Sequence, residues 1–148
     1  MKKVVIFGAG RRVQSHIMPA IINCKNTLSL SAIYARKKRL LTIYGEEYKV
    51  NVFDKYSISN LEDSDMIVIC VSPESVSDIL LSLLENNCSH KQIFIDTPVF
   101  SGKRIKHYGL IKKFKHIFVL EDWLGLNKFD LATSLIQCGK IGKVQKIC

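Results

Sequence analysis

Residues 3–13 read Lys3-Val4-Val5-Ile6-Phe7-Gly8-Ala9-Gly10-Arg11-Arg12-Val13, and this stretch decides the fold. A β-branched run, Lys3 to Phe7, stops at two closely spaced glycines, and Val13 to Asn23 beyond them has helical length and composition. Strand, glycine turn and helix therefore follow one another without a linker. A helix that starts directly at such a turn aims its unpaired N–H groups and the positive end of its dipole back at the turn, which suits an anion.

The same unit makes a phosphate-binding turn when each glycine has a job. Gly8 is placed to form the tight turn, with Ala9 after it, and Gly10 to let backbone approach a pyrophosphate. The third place of the GxGxxG pattern holds Val13, so the fingerprint is incomplete. The strand before it and the helix after it carry the reading.

Outward from this unit the pattern repeats. Leu28 to Tyr34 (LSLSAIY) alternates as a second strand, Lys37 to Tyr48 reads as a second helix, and Val50 to Phe53 as a short third strand. Met66 to Val71 (MIVICV) is apolar on both faces, as a parallel strand covered on both sides requires. Ser72-Pro73 supplies an N-cap serine and a first-turn proline for a helix reaching Glu85 or Asn86, with Ile79, Leu80, Leu83 and Leu84 as its apolar stripe. Gln92 to Ile95 and Ile117 to Leu120 read as further strands around a helical Ile105 to Phe114. Beyond them a helix over Phe129 to Gln137 and a strand-like Val144 to Cys148 are expected. Strands alternating with helices predict an α/β fold with a doubly wound parallel sheet of the Rossmann, dinucleotide-binding type. The expected boundaries are a dinucleotide-binding domain over residues 1–122 and, over 123–148, the start of a second domain that is missing or truncated.

Composition agrees with an ordinary globular core: 148 residues, 47% apolar and 24% charged. The run Met66 to Val71 is far short of the ~20 apolar residues that span a bilayer, and Met1-Lys2-Lys3 leads straight into a strand without a secretory leader. The expectation is a cytoplasmic protein with no membrane partner. The five cysteines form no CxxC pair and stand apart from histidines, which signals neither a disulfide framework nor a metal site. The net charge of +9 is unevenly placed: residues 1–45 hold nine of the 22 Lys/Arg and none of the 13 Asp/Glu, so the remaining 13 basic and 13 acidic residues balance. The basic excess fits a phosphate-rich ligand. Nucleic acid ranks last as a partner, because the aromatics do not interleave with the basic residues as a stacking platform would need.

An acid at the end of the second strand would hydrogen-bond the ribose hydroxyls of NAD, whereas Arg or Lys there favours the 2'-phosphate of NADP. Here the sequence runs Tyr34-Ala35-Arg36-Lys37-Lys38-Arg39, with no acid before Glu46. NADP is favoured through Arg36 and Lys37, with NAD left open, and Arg11 and Arg12 add to the phosphate field. A solvated first turn of the second helix is the competing reading.

Several pieces in order resemble the N-terminal domain of the glucose-fructose oxidoreductase and inositol dehydrogenase family (Gfo/Idh/MocA). They are Gly8-Ala9-Gly10 with Pro19-Ala20 downstream, Tyr34-Ala35-Arg36, Cys70-Val71-Ser72-Pro73, Asp96-Thr97-Pro98 and the segment Ser134 to Val144. The resemblance implies a nicotinamide cofactor across the carboxyl ends of the strands, bordered by Val71, Ser72, Pro73, Asp96 and Pro98. It also implies hydride transfer with a small sugar-like or other small-molecule substrate. A second domain normally supplies most of the substrate site, which points to a missing C-terminal domain or a homo-oligomer. The family commonly places a lysine where Thr97 stands and often a histidine near Ser77; threonine hydrogen-bonds a carbonyl but is no ready acid. Glu121 and Asp122, beside Trp123 after the sixth strand, join Thr97 as the candidate catalytic residues, against an exposed loop with a packed tryptophan; His107 is a weak further candidate. Two functions stay open: an oxidoreductase domain, and a catalytically silent nucleotide-binding sensor, partner subunit or scaffold.

Overall fold

The computed structural model of the chain describes residues 1–36, 45, 48, 51–53, 61, 63–100, 102–121 and 127–140. Its strands are β1 (Lys2–Phe7), β2 (Leu28–Tyr34), β3 (Asn51–Phe53), β4 (Met66–Ile69), β5 (Gln92–Asp96) and β6 (His116–Leu120). Each pairs in parallel with its neighbours in the order β3-β2-β1-β4-β5-β6. This is a doubly wound sheet: the chain steps outward from β1 through β2 to β3, then returns to the other side of β1 for β4, β5 and β6. The reversal leaves a crevice between β1 and β4 at the carboxyl ends, where open α/β sheets bind ligands.

Both faces of the sheet are covered. On one, Phe7, Tyr34, Ile67, Ile69 and Ile93 pack on Val76, Ile79, Leu80 and Leu83. These last four come from the helix α2, Pro73–Glu85. On the other, Val4, Ile6, Ile33 and Val68 pack on Val13, Met18 and Ile21. Alternation along β1 explains the split, since successive side chains of a strand point to opposite faces.

The helix after the glycine turn differs from a regular α-helix. Residues Val13–Ile17 form a π-type turn, closed by a bond from the Met18 N–H to the Val13 carbonyl, before α1 (Met18–Asn23) continues. Pro19 accounts for it. A proline has no N–H to give and its ring crowds the carbonyl four residues back, so the backbone widens by one residue just ahead of it. Val13 is fully buried at the start of this wide turn.

Other boundaries also shift. β4 ends at Ile69 rather than Val71, leaving Cys70 and Val71 in the turn to α2. Ser72 does precede α2, with the Ser75 N–H bonded to its carbonyl at 2.8 Å, yet its side chain makes no capping bond. The segment Gly102–Lys113 is a 3-10 rather than an α-helix. The last helix, α3, begins at Asn127 and runs to Gln137. The expected second helix, but for residues 45 and 48, and the expected strand Val144 to Cys148 lie outside the described residues. Among the described residues no helix is long and apolar enough to cross a membrane, and no group of three or more His, Cys, Asp or Glu could hold a metal ion.

Candidate functional site

Strand register brings the residues at the carboxyl edge into one row. Phe7 pairs with Tyr34 on one side and Ile69 on the other, Ile69 with Ile95, and Asp96 with Leu120. The next residues out, Ala35, Gly8, Cys70 and Asp96, therefore line up across four strands. The row is pinned by backbone bonds: Gly8 N–H to the Tyr34 carbonyl at 2.7 Å and Cys70 N–H to the Phe7 carbonyl at 2.8 Å. Stacked rings brace it from below, Phe7 on Tyr34 at 5.0 Å between centroids and Tyr34 on Phe53 at 4.8 Å.

Gly8 and Gly10 do different work. Gly8 has φ +120°, and a Cβ on it would come 2.8 Å from the Cys70 carbonyl carbon and closer still to its oxygen. Only glycine fits where β1 turns so close to the end of β4. Gly10 is exposed, and a Cβ there would meet no atom of the described residues within 4 Å. The open space above it and the first N–H groups of the following helix are what an approaching pyrophosphate needs. The residues present thus fit a dinucleotide.

The four arginine and lysine candidates part company. Arg11 and Arg36 are exposed at the lip of the turn and at the end of β2; Lys37 lies outside the described residues. Arg12 instead reaches across β4, and its Nε lies 3.3 Å from Asp96 Oδ1, with both side chains mostly buried. Its charge is thus engaged by a carboxylate at the crevice. The Cys70 thiol feels both charges of this pair. Burial first, then the Asp96 carboxylate, push its thiol up to about 12, with Arg12 opposing. It is a neutral thiol at physiological pH.

At the β5 end, Thr97 and Pro98 are exposed and joined by a cis peptide bond. Because Asp96 pairs with Leu120, Glu121 follows β6 beside Thr97. Asp122 and Trp123 lie outside the described residues. Val71 and Pro73 are half-buried and Ser72 is exposed at the β4 end, its hydroxyl 3.3 Å from that of Ser75. Ser77 is instead buried in α2, its hydroxyl without a partner among the described residues, so it belongs to the core. The Arg12–Asp96 pair was not foreseen. Its only signals in sequence were a second arginine after the glycine turn and a single acid closing β5.

The profile of the Gfo/Idh/MocA oxidoreductase family, NAD-binding Rossmann fold, matches residues 2–119. No curated protein matches the sequence. Among solved structures, the WlbA dehydrogenase from Chromobacterium violaceum, in complex with NADH and UDP-GlcNAcA, is similar at a TM-score of 0.78 and 14% identity, covering 95% of this chain and 41% of its own. A 3-ketoreductase from Actinomadura kijaniata, in complex with TDP-benzene and NADP, gives 0.78 at 12% identity, covering 97% and 44%. A family oxidoreductase from Vibrio cholerae gives 0.72 at 16%, covering 91% and 43%. The chain spans less than half the length of these proteins.

Proposed function

Because the chain belongs to the Gfo/Idh/MocA oxidoreductase family with its NAD-binding Rossmann fold, we propose that it binds NADP(H) in preference to NAD(H) and takes part in hydride transfer with a small, sugar-like substrate. The observation that carries the reading is the contrast between the two glycines: Gly8 is closed against Cys70, while Gly10 opens the turn toward the crevice. The N–H groups that follow Gly10 hold the pyrophosphate, Arg11 adds charge at its rim, and Arg36 pairs with the 2'-phosphate. Ser72 and the Asp96–Pro98 turn border the cofactor. When bound, the nicotinamide supplies the hydride chemistry. The chain's part in the reaction is then to orient a substrate oxygen with the Thr97 hydroxyl and to accept its proton at the Glu121 carboxylate, helped by Asp122.

Residues 123–148 are, in this reading, the start of a second domain that completes the substrate site, or the contact by which two copies assemble. Leu131 and Ile136 of α3 are exposed, as a helix awaiting cover would be. One observation favours the silent alternative. Thr97 offers no ready acid, and the carboxylate next to it is tied to Arg12, so dinucleotide binding without turnover is consistent with the same geometry.

Calorimetric titration with NADPH and with NADH, on the chain and on its Arg36→Ala variant, tests the proposal. Tighter binding of NADPH, lost in the variant, supports it; binding of neither nucleotide refutes it. Hydride exchange with any small alcohol or carbonyl rules out the silent alternative.

A further inference from the structure

β6 is the last strand of the sheet: it pairs with β5 on one side, and no described strand pairs with it on the other. Such an edge presents outward-facing N–H and C=O groups, a template for another strand, and proteins blunt it with charged residues, proline or a bulge. β6 uses none of these. His116-Ile117-Phe118-Val119-Leu120 contains no lysine, acid or proline, and its register with β5 runs without a break. We propose that this edge is an interface between two copies of the chain, in which β6 pairs antiparallel with β6 of the partner subunit about a two-fold axis at Phe118.

The sequence around β6 is complementary to itself in that arrangement. A two-fold axis at Phe118 sets residues equally far before and after it opposite one another. Lys115 therefore meets Glu121 of the partner subunit, and Glu121 meets Lys115 of the partner subunit, so that one register makes two opposite-charge pairs. Neither residue is buried: Lys115 is exposed and Glu121 half-buried. On the same face of the sheet Ile117 stands opposite the partner's Val119, and on the other face Phe118 stands opposite the partner's Phe118.

The side chains along the edge are of the kind an interface buries. Phe118 is 47% and Val119 50% exposed, whereas Ile93 and Ile95 of the neighbouring strand are fully buried. Phe118 stacks on Phe94 with ring centroids 5.0 Å apart, so its ring is held in place before a partner arrives. Pairing continues that stack across the axis onto the partner's Phe118. Backbone bonds thus form the spine of the contact, the aromatic stack its apolar centre, and the two charge pairs its ends. With five residues of strand on each side, the contact is at the small end of protein interfaces, which makes the dimer reversible and dependent on concentration. It uses neither the glycine turn nor α3, and it requires no nucleotide.

The test is sedimentation velocity of the full chain over a wide range of concentration, without nucleotide. The proposal expects a monomer–dimer equilibrium, weakened at least about tenfold by Lys115→Glu and by Glu121→Lys, because symmetry turns two attractions into two repulsions in each variant. The double variant Lys115→Glu, Glu121→Lys restores opposite charges and should dimerise as the parent does. An equal mixture of the two single variants should form a heterodimer at concentrations where each alone is monomeric, since every charge pair is again opposite in sign; its formation also shows that both variants fold. Phe118→Lys, which sets like charges against each other on the axis, should stay monomeric with the parent's circular dichroism spectrum. A chain that is monomeric at every concentration, single variants that dimerise like the parent, or single variants rescued neither by the double change nor by mixing would each overturn the proposal. So would a dimer lost in the Leu131→Gln, Ile136→Gln variant but indifferent to Lys115→Glu, which would assign assembly to α3.

Discussion

Replacing Gly8 and Gly10 by alanine, one at a time, should separate the glycine the fold needs from the one the ligand needs. At Gly8 the added methyl would meet backbone atoms of Cys70, which cannot swing aside because the Cys70 N–H is bonded to the Phe7 carbonyl. An L-residue held at φ +120° adds backbone strain of about 1–3 kcal/mol, and forcing a methyl into a packed site costs about 1–3 kcal/mol more. The sum, roughly 2–6 kcal/mol, is a large part of the about 5–15 kcal/mol that holds a domain together. At about 2–4 °C per kcal/mol for a chain of this size, Tm should fall by about 5–20 °C. At Gly10 the methyl would enter open space, and the reduced freedom of the unfolded chain stabilises by about 0.4–1 kcal/mol at a compatible glycine. Gly10→Ala should therefore melt at or slightly above the parent temperature, while a methyl in the pyrophosphate's path weakens NADPH binding at least about tenfold, or about 1.4 kcal/mol. Melting followed by circular dichroism and calorimetric titration measure both quantities. A Gly8→Ala protein with parental Tm would refute the close approach to β4. A Gly10→Ala protein with parental Tm and parental NADPH affinity would refute the turn's role as a phosphate cradle.

Arg12→Met and Asp96→Asn should each destabilise, and a double-mutant cycle by urea unfolding should show a coupling of about 1 kcal/mol, with strict additivity counting against a real ion pair. The buried hydroxyls of Tyr34 and Ser77 have no hydrogen-bond partner among the described residues, so Tyr34→Phe and Ser77→Ala should match or exceed the parent's stability. A loss above about 1 kcal/mol in urea unfolding would mean that the hydroxyl is satisfied after all. Cys70, with its thiol raised from 9.0 to about 12, should resist iodoacetamide at pH 8 while the exposed Cys24 and Cys138 react, as peptide mapping would reveal. The sign for stability follows: the unfolded chain ionises this thiol first, so its contribution is complete below pH 9 and is lost as pH rises toward 12. Cys70→Ser should flatten that alkaline slope, and an unchanged slope would assign it to other groups.

Much of the fold was legible because its strands are short apolar runs bounded by glycine, proline and acids. Continuous apolarity in Met66 to Ile69 marked a strand covered on both faces, and alternation in Leu28 to Tyr34 marked its neighbour. The end of β4 was overread by two residues, since Cys70 and Val71 are as apolar as the strand yet belong to the turn. The π-type turn was invisible to periodicity because one extra residue ahead of Pro19 leaves composition untouched. Of the site, spacing alone assigned the tight turn to Gly8, but the reason that position admits only glycine, the nearness of the Cys70 carbonyl, exists only in space. Arg12 and Asp96 were both named as cofactor-binding residues. Their mutual attraction went unread because they are 84 residues apart in the sequence, and only register brings the β5 end within reach of the glycine turn.

The wide turn at Val13–Ile17 sets an angular phase. One added residue in a helix of 3.6 residues per turn rotates everything beyond it by about 100° relative to everything before. The glycine loop and the apolar pair Met18 and Ile21 are thus indexed separately: the loop can aim its N–H groups at the crevice while the later residues turn onto the sheet. Deleting a single residue between Val13 and Ile17 would restore a uniform helix and bring these two orientations into conflict, so that either the core or the glycine turn would face the wrong way.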